Sequence, residues 1–422
     1  MSFSSLQLLP LLVKQLTRLG YEQPTPIQQQ AIPVVLSGKD VLAGAQTGTG
    51  KTAAFTLPII QMLLQSKAMA PQVNDSVDDK QDALANYTQT LILVPTRELA
   101  QQVHQHVEKY ASGTDIRSVI VYGGVSIKAQ ANAIQAGADI IVATPGRLLD
   151  HLRNRVMSLS KLKHLVFDEA DRMLDMGFRD EIIEVLKRVP KERQTLLFSA
   201  TLDERIFKFS KRLLDSPQVI ETHQRNSTAA SIVERVYNVD SKRKLSLLSH
   251  LIKKEDWQQA LIFSRTKQGA DKVAAQLQQA GVNAAAFHAD LSQAVRESVL
   301  TQFKSGEINA LVATDVAARG LDINELNYVV NIELPFQNED YIHRIGRTGR
   351  AGNTGQAITL LSVDDEPQLI KLEAFLDRRL PQQWFPGFEP DLTQVAPVTR
   401  KTKKGSLKQQ ARQKALAKSK RK

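Results

Sequence analysis

The chain has 422 residues, 42% hydrophobic and 23% charged, with no cysteine and a formal net charge of +11. This is an ordinary globular composition, and the length suggests roughly two or three domains. Without cysteine there is no disulfide, no thiolate nucleophile and no cysteine-ligated zinc, and a reducing compartment, the cytoplasm, is the natural setting.

From the N-terminus, the apolar run Leu8 to Val13 is broken by Pro10, has no basic residue before it and no small-residue cleavage site after it. A signal peptide is therefore not expected. No stretch reaches the roughly eighteen consecutive apolar residues of a membrane span. A short apolar stretch, Val41 to Ala43, precedes a glycine-rich segment and then a helical one. The polar stretch Ser66 to Gln89 reads as a surface excursion between a helix and a strand. Apolar runs follow at Leu91 to Val94, Ser118 to Tyr122, Ile140 to Ala143, Leu165 to Phe167 and Thr195 to Phe198, each leading into a turn and a helix-like stretch. His104 and His106, the closest histidine pair, fall on one of these helices, where residues two apart do not share a face, so they do not suggest a metal site.

The polar segment Glu221 to Ala230, with the breaker run Arg225-Asn226-Ser227-Thr228, separates this series from a second one. The second comprises Ala260 to Phe263, Ala284 to Phe287, Ala310 to Ala313, Tyr328 to Ile332 and Ala357 to Leu361. Near-continuous apolar strands alternating with helices predict an α/β fold with parallel sheets covered on both faces, twice over. The expected domains are 1–221 and 231–391, joined by a linker at 222–230. Residues 392–422 hold eleven Lys/Arg and no acid, so the body keeps 44 basic against 44 acidic residues and the tail carries the whole excess. The tail has too few large apolar residues to offset the entropy of ordering, so it is expected to be disordered. Its charge suggests a polyanionic partner, with simple solvation as the alternative.

Two motifs carry chemistry. Ala45-Gln46-Thr47-Gly48-Thr49-Gly50-Lys51-Thr52 lies between a strand and a helix. Its glycines allow the backbone to turn its N–H groups onto phosphate, Lys51 reaches the β and γ phosphates, and the Thr52 hydroxyl can hold magnesium. The general pattern has Gly where this chain has Ala45. In Leu165-Val166-Phe167-Asp168-Glu169-Ala170-Asp171, a strand delivers acids to its carboxyl end. Asp168 suits magnesium, while Glu169 suits the orientation and deprotonation of an attacking water. The bland alternatives are a glycine-rich turn and an acidic helix start.

With their neighbours, these residues make the chain resemble the DEAD-box RNA helicases throughout, the tail excepted. Gly20-Tyr21-Glu22-Gln23-Pro24-Thr25-Pro26-Ile27-Gln28 is similar to the family's Q motif, with Phe3 as its upstream aromatic. The resemblance implies that Gln28 reads the adenine edge and Tyr21 stacks on the ring. Pro95-Thr96-Arg97-Glu98-Leu99-Ala100, Gly123-Gly124 and Thr144-Pro145-Gly146-Arg147 resemble RNA-backbone motifs, which implies RNA contacts by Thr96, Arg97, Gly124, Thr144 and Arg147. Ser199-Ala200-Thr201 resembles the motif coupling hydrolysis to strand separation. In the second half, Phe263 to Thr266 and Ala313 to Asp322 imply RNA contacts by Arg265, Thr266 and Thr314 and an ATP contact by Asp322. His343 to Arg350 implies coupling by His343 and arginine fingers at Arg347 and Arg350. Ala289 stands where the family commonly has Gly. Asp168 to Phe178 and the Gln28-Gln29-Gln30 run resemble the bacterial RhlE-like subgroup in particular.

The resemblance implies two tandem RecA-like domains, ATP and Mg2+ as cofactors, and RNA as partner, bound with little sequence preference because backbone contacts carry no base information. With fingers and phosphate loop on different domains, hydrolysis would require closure. A DNA translocase, a non-catalytic RNA clamp and a small-molecule kinase are the competing readings. The Q motif, the intact Lys51, Glu169 and Arg347, and the doubled domain argue against them in turn.

Overall fold

The computed structural model describes residues 2–45, 48–69, 88–222, 232–318, 321, 326–349 and 354–391. Gln46, Thr47, Asp322, Arg350, most of the Ser66 to Gln89 excursion, nearly all of the expected linker and the basic tail lie outside the described residues. By compactness the chain divides into Met1–Ser227 with Phe287–Thr301 and Asp315–Asn324, and Thr228–Ala286 with Gln302–Thr314 and Glu325–Lys422.

The first sheet is formed by β1 (Val41–Gly44), β2 (Thr90–Leu93), β3 (Ser118–Val121), β4 (Ile140–Ala143), β5 (His164–Phe167), β6 (Gln194–Ser199) and β7 (Gln218–Glu221). All pairs are parallel, in the order β3-β4-β2-β5-β6-β1-β7. Parallel strands need crossovers, and the helices that supply them cover both faces. The core follows from this. On β2, Ile92 packs into one apolar cluster with Val166 and Leu196, while Leu91 and Leu93 pack into another with Leu165 and Leu197. Alternation along a strand therefore sends hydrophobic side chains to two cores, which is why these runs read as continuously apolar.

The second sheet repeats the plan. It comprises β8 (Ile232–Asn238), β9 (Ala260–Ser264), β10 (Ala284–Phe287), β11 (Ala310–Thr314), β12 (Tyr328–Asn331), β13 (Gly355–Leu361) and β14 (Gln382–Gln383). Their order is β10-β11-β9-β12-β13-β8-β14, with the pairs from β11 to β14 parallel.

Two expectations need correction. The helix after the phosphate loop runs from Lys51 to Met69, so it absorbs the first residues assigned to the excursion. Strands β7, β8 and β14 were not anticipated. In β7 only Ile220 is buried, and β8 mixes Glu234 and Arg235 into its run, so neither has the apolar continuity that marks the central strands. His104 and His106 do lie on a helix, Arg97–Ala111, where His104 Nε2 is 3.2 Å from Ser118 Oγ and His106 stacks on Tyr110. Among the described residues no helix is long and apolar enough to cross a membrane.

One buried carboxylate organises the amino end of the first sheet. Asp40, just before β1, accepts from Thr195 N–H through Oδ1 and from Asp215 N–H through Oδ2, each at 2.7 Å. It thereby ties the starts of β1 and β6 to the turn that leads into β7. Asp40→Ala would leave two N–H groups unpaired, at a cost of about 2–4 kcal/mol. We expect thermal unfolding to show a Tm roughly 5–10 °C lower, with Asp40→Asn intermediate. An unchanged Tm for the alanine variant would contradict this role.

Candidate functional site

The carboxyl ends of the adjacent strands β1, β6 and β5 carry the phosphate-loop residues, Ser199-Ala200-Thr201 and Asp168-Glu169. Gly48 and Gly50 have φ of 84° and 91°, which lets the loop reverse before the helix begins at Lys51. Lys51 is buried and its Nζ has no hydrogen-bond partner. The same is true of Asp168 Oδ1 and Ser199 Oγ. Orphaned buried polar atoms are costly, and a donor, a carboxylate oxygen and a hydroxyl left open over neighbouring strands fit a charged phosphate ligand with its cation. Thr52 follows directly on the helix, and Ala45 is buried at the end of β1.

Burial pushes the Asp168 carboxyl up to about 6, with Glu169 and Asp171 adding to the rise and Lys51 opposing it. Glu169 has φ of 55°, a left-handed conformation unusual for a side chain of its size. It turns the chain from β5 into the helix Ala170–Asp175. Asp171 links two motifs: its Oδ2 accepts from Ala200 N–H at 3.2 Å, Thr201 N–H at 3.1 Å and the Thr201 hydroxyl at 3.2 Å. Sequence reasoning missed this role of Asp171. The tetrad itself was the available signal, but nothing in the spacing tied it to position 200.

The Q-motif residues are placed differently from one another. Gln28 sits in the first turn of the helix Pro26–Leu36, buried, with Oε1 accepting from Thr25 N–H at 3.0 Å and Nε2 donating to Gly50 O at 3.1 Å. It braces the phosphate loop and is no surface residue. Each amide atom keeps one further hydrogen-bonding capacity for a base. Tyr21 is half-buried, with its hydroxyl 3.0 Å from that of Tyr110 and the two rings edge to face. Phe3, the upstream aromatic that the resemblance assigns to the nucleotide site, is 3% exposed and packed in the core.

The other half of the same edge, over β2, β4 and β3, gathers the expected RNA residues. Thr96 caps the helix after β2, its hydroxyl oxygen accepting from Leu99 N–H at 3.2 Å and keeping its proton for an outside acceptor. Arg97 lies across Gly124, where a Cβ would come 2.2 Å from its Nη1. The glycine is required there both by this approach and by its φ of 88°. Arg147 Nη1 donates to Val125 O at 2.9 Å and Gln130 Oε1 at 3.1 Å. Gln130 in turn donates to Tyr122 O, so it holds Arg147 against the loop after β3. Gln130 is a second residue that sequence reasoning missed, because it lies in no motif. Thr144 occupies the cap position of the helix Pro145–Arg153 without a side-chain cap bond.

In the second unit, Arg265 follows β9. Its N–H donates to Glu333 Oε2 at 2.9 Å and its Nε to Leu334 O at 2.5 Å. Thr266 caps the next helix through Gly269 N–H at 2.9 Å, and Thr314 ends β11. His343 lies on the helix Asn338–Ile345 with Nδ1 3.9 Å from Asp340 Oδ1, and Arg347 is in the turn just after.

The raised Asp168 carboxyl has a consequence for stability. Its protonated form is the one the fold prefers, so that contribution is complete below the unfolded value of 3.8 and is lost as pH rises through about 6. Asp168→Asn, neutral throughout, should therefore be more stable than the parent at pH 7–8 without nucleotide, by about 2–3 kcal/mol. The difference should close below about pH 4. Denaturant unfolding across this range measures it, and a gap independent of pH would refute the burial argument.

Residues 25–209 match the DEAD/DEAH box helicase family and residues 243–352 the helicase conserved C-terminal domain. The chain is 43% identical over 378 residues to the ATP-dependent RNA helicase CshA of Listeria monocytogenes, covering 90% of this chain and 69% of that one. It is 40% identical over 379 residues to the DEAD-box ATP-dependent RNA helicase RhpA of Helicobacter pylori, covering 90% and 73%. Among solved structures, S. cerevisiae Dbp5 bound to RNA and ADP BeF3 aligns with a TM-score of 0.78 at 30% identity, over 92% of this chain and 95% of that one. Mss116 bound to ssRNA and UDP-BeF aligns with a TM-score of 0.80 at 30% identity, over 93% and 81%. These relatives carry CshA and RhpA names, so they establish the family and leave the RhlE-like resemblance where the motifs put it. The two sheets are RecA-like, and the chain belongs to the DEAD-box family of ATP-dependent RNA helicases.

Proposed function

We propose that this ATP-dependent RNA helicase hydrolyses ATP over β1, β5 and β6 and grips the RNA backbone over β2, β3 and β4, with Arg265, Thr266 and Thr314 adding contacts from the second domain. The observation that supports this most is the set of buried, unpartnered atoms, Lys51 Nζ, Asp168 Oδ1 and Ser199 Oγ, on neighbouring strand ends. We take the domains as 1–221 and 231–391 with the linker at 222–230, and the cytoplasm as the location.

In this reading the backbone N–H groups of residues 45–50 cradle the phosphates and Lys51 meets the β and γ oxygens. Thr52 and Asp168 would hold magnesium, which when bound neutralises phosphate charge. Glu169 takes a proton from the water that attacks the γ-phosphorus, and ADP and phosphate leave. Arg347 and Arg350 offset charge developing on the transferred group, and Asp322, Gln28 and Tyr21 serve the nucleoside. Ser199, Thr201, whose backbone and hydroxyl are held to Asp171, and His343 relay the state of the phosphates to the RNA residues. RNA duplexes and RNA–protein complexes are then remodelled locally.

Glu169→Gln tests the assignment of the base. It should bind ATP and RNA normally while RNA-stimulated turnover falls by about two to four orders of magnitude. Near-parental turnover would refute it.

The tail's eleven basic and no acidic or aromatic residues indicate electrostatic tethering of RNA without base stacking. A chain ending at Asp391 should keep its turnover at saturating RNA, require more RNA for half-saturation, and show a shallower salt dependence. Equal half-saturation at two salt concentrations would reduce the tail to a solvated appendage.

A further inference from the structure

Beside the proposed base lies a charge that none of the roles above uses. Arg172 is 1% exposed, and its Nη1 donates to Glu169 Oε2 at 2.9 Å. Both side chains are buried, Glu169 at the N-cap of the short helix Ala170–Asp175 and Arg172 three residues on in its first turn. The backbone of Arg172 is pinned as well, because its N–H donates to Asp171 Oδ1 at 3.0 Å and to Glu169 O at 3.0 Å. Asp171, the other nearby acid, is committed to Ala200 and Thr201. The guanidinium is therefore directed to one carboxylate.

Stability alone does not account for this pair. A buried ion pair rarely adds net stability, since the desolvation of both charges offsets their attraction. Moreover, Arg172 Nη2 is buried without any hydrogen-bond partner. A purely structural arginine at this depth would have both ends of its fork satisfied. An unmet donor next to the carboxylate proposed to receive the water's proton leaves capacity for a group that arrives with substrate.

We propose that Arg172 is a positioning residue for hydrolysis: it fixes the Glu169 carboxylate through Oε2, so that the carboxylate meets the attacking water in one orientation. The inference rests on Glu169 as the base. The left-handed turn at Glu169 sets the backbone, and Arg172 sets the side chain. Arginine suits this better than lysine because its planar fork has a fixed direction, whereas an ammonium on a flexible stem does not. Because phosphoryl transfer depends on placement more than on basicity, loss of the arginine appears in the chemical step and not in substrate binding.

The test uses the full chain with ATP and RNA at saturation and single-turnover hydrolysis as readout. Arg172→Lys should lower the rate about tenfold and Arg172→Met about a hundredfold, with the KM for ATP and RNA half-saturation within about threefold of the parent. On a Glu169→Gln background, Arg172→Met should cause no further loss, because the residue acts through Glu169. This double variant removes both buried charges together, so it keeps the test open should Arg172→Met alone fail to fold. A parental rate in Arg172→Lys and Arg172→Met overturns the proposal while leaving Glu169 as base. Equal losses with and without Glu169 assign Arg172 a separate structural role and overturn it too. Full turnover in Glu169→Gln removes the base assignment itself, and this inference with it.

Discussion

All the chemistry of the first domain depends on the order of its strands. Seven parallel strands leave every carboxyl end on one edge, so each motif emerges on the same side of the sheet. The order β3-β4-β2-β5-β6-β1-β7 then divides that edge. The strands bearing Thr96, Gly124 and Thr144 are neighbours, as are those bearing Lys51, Asp168 and Ser199. Between the halves runs the β2–β5 pair, with Leu93 beside Phe167, so the residues before Thr96-Arg97 and Asp168-Glu169 leave adjacent strands in register. No long-range wire is needed to relate the two groups of motif residues; sheet connectivity makes them neighbours.

Much of this was legible in the sequence. The central strands are buried on both faces, so Ile140 to Ala143 and Ala260 to Phe263 read as unbroken apolar runs and fell within a residue of their observed bounds. Edge strands lack that signature, and β7, with three of its four residues exposed, was missed. Site residues were legible where a motif fixes both type and spacing, as at Gly48 to Thr52. They were not where a role depends on a fold-dependent approach. Asp171 reaches Ala200 and Thr201 across about thirty residues of chain only because β5 and β6 are adjacent. Phe3 shows the reverse limit, since an aromatic at a motif position can serve entirely through packing.

The nucleotide edge of the first domain also concentrates unfavourable terms that the rest of the unit must outweigh. Asp168 sits where its carboxylate is poorly solvated, Lys51 Nζ and Ser199 Oγ are unpaired, and Glu169 adopts a left-handed backbone. Each would be removed in a domain selected for stability alone. Their coincidence on three strand ends, above two well-packed apolar clusters, is the mark of a site preorganised for a ligand that supplies the missing partners.

The amide of Gln28 carries a further consequence. With Oε1 on the Thr25 N–H and Nε2 on the Gly50 carbonyl, it joins the start of one helix directly to the loop that leads into the next. Glycine is required for this approach, as a Cβ at position 50 would lie 2.3 Å from that same Nε2. In the proposed function, a base held by the amide is thereby linked to the phosphate loop through the Nε2 bond to Gly50 O. In the function proposed for Gln28, a base that misplaces its amide would disturb the phosphate loop as well as bind weakly, which would tie base identity to turnover and not to affinity alone.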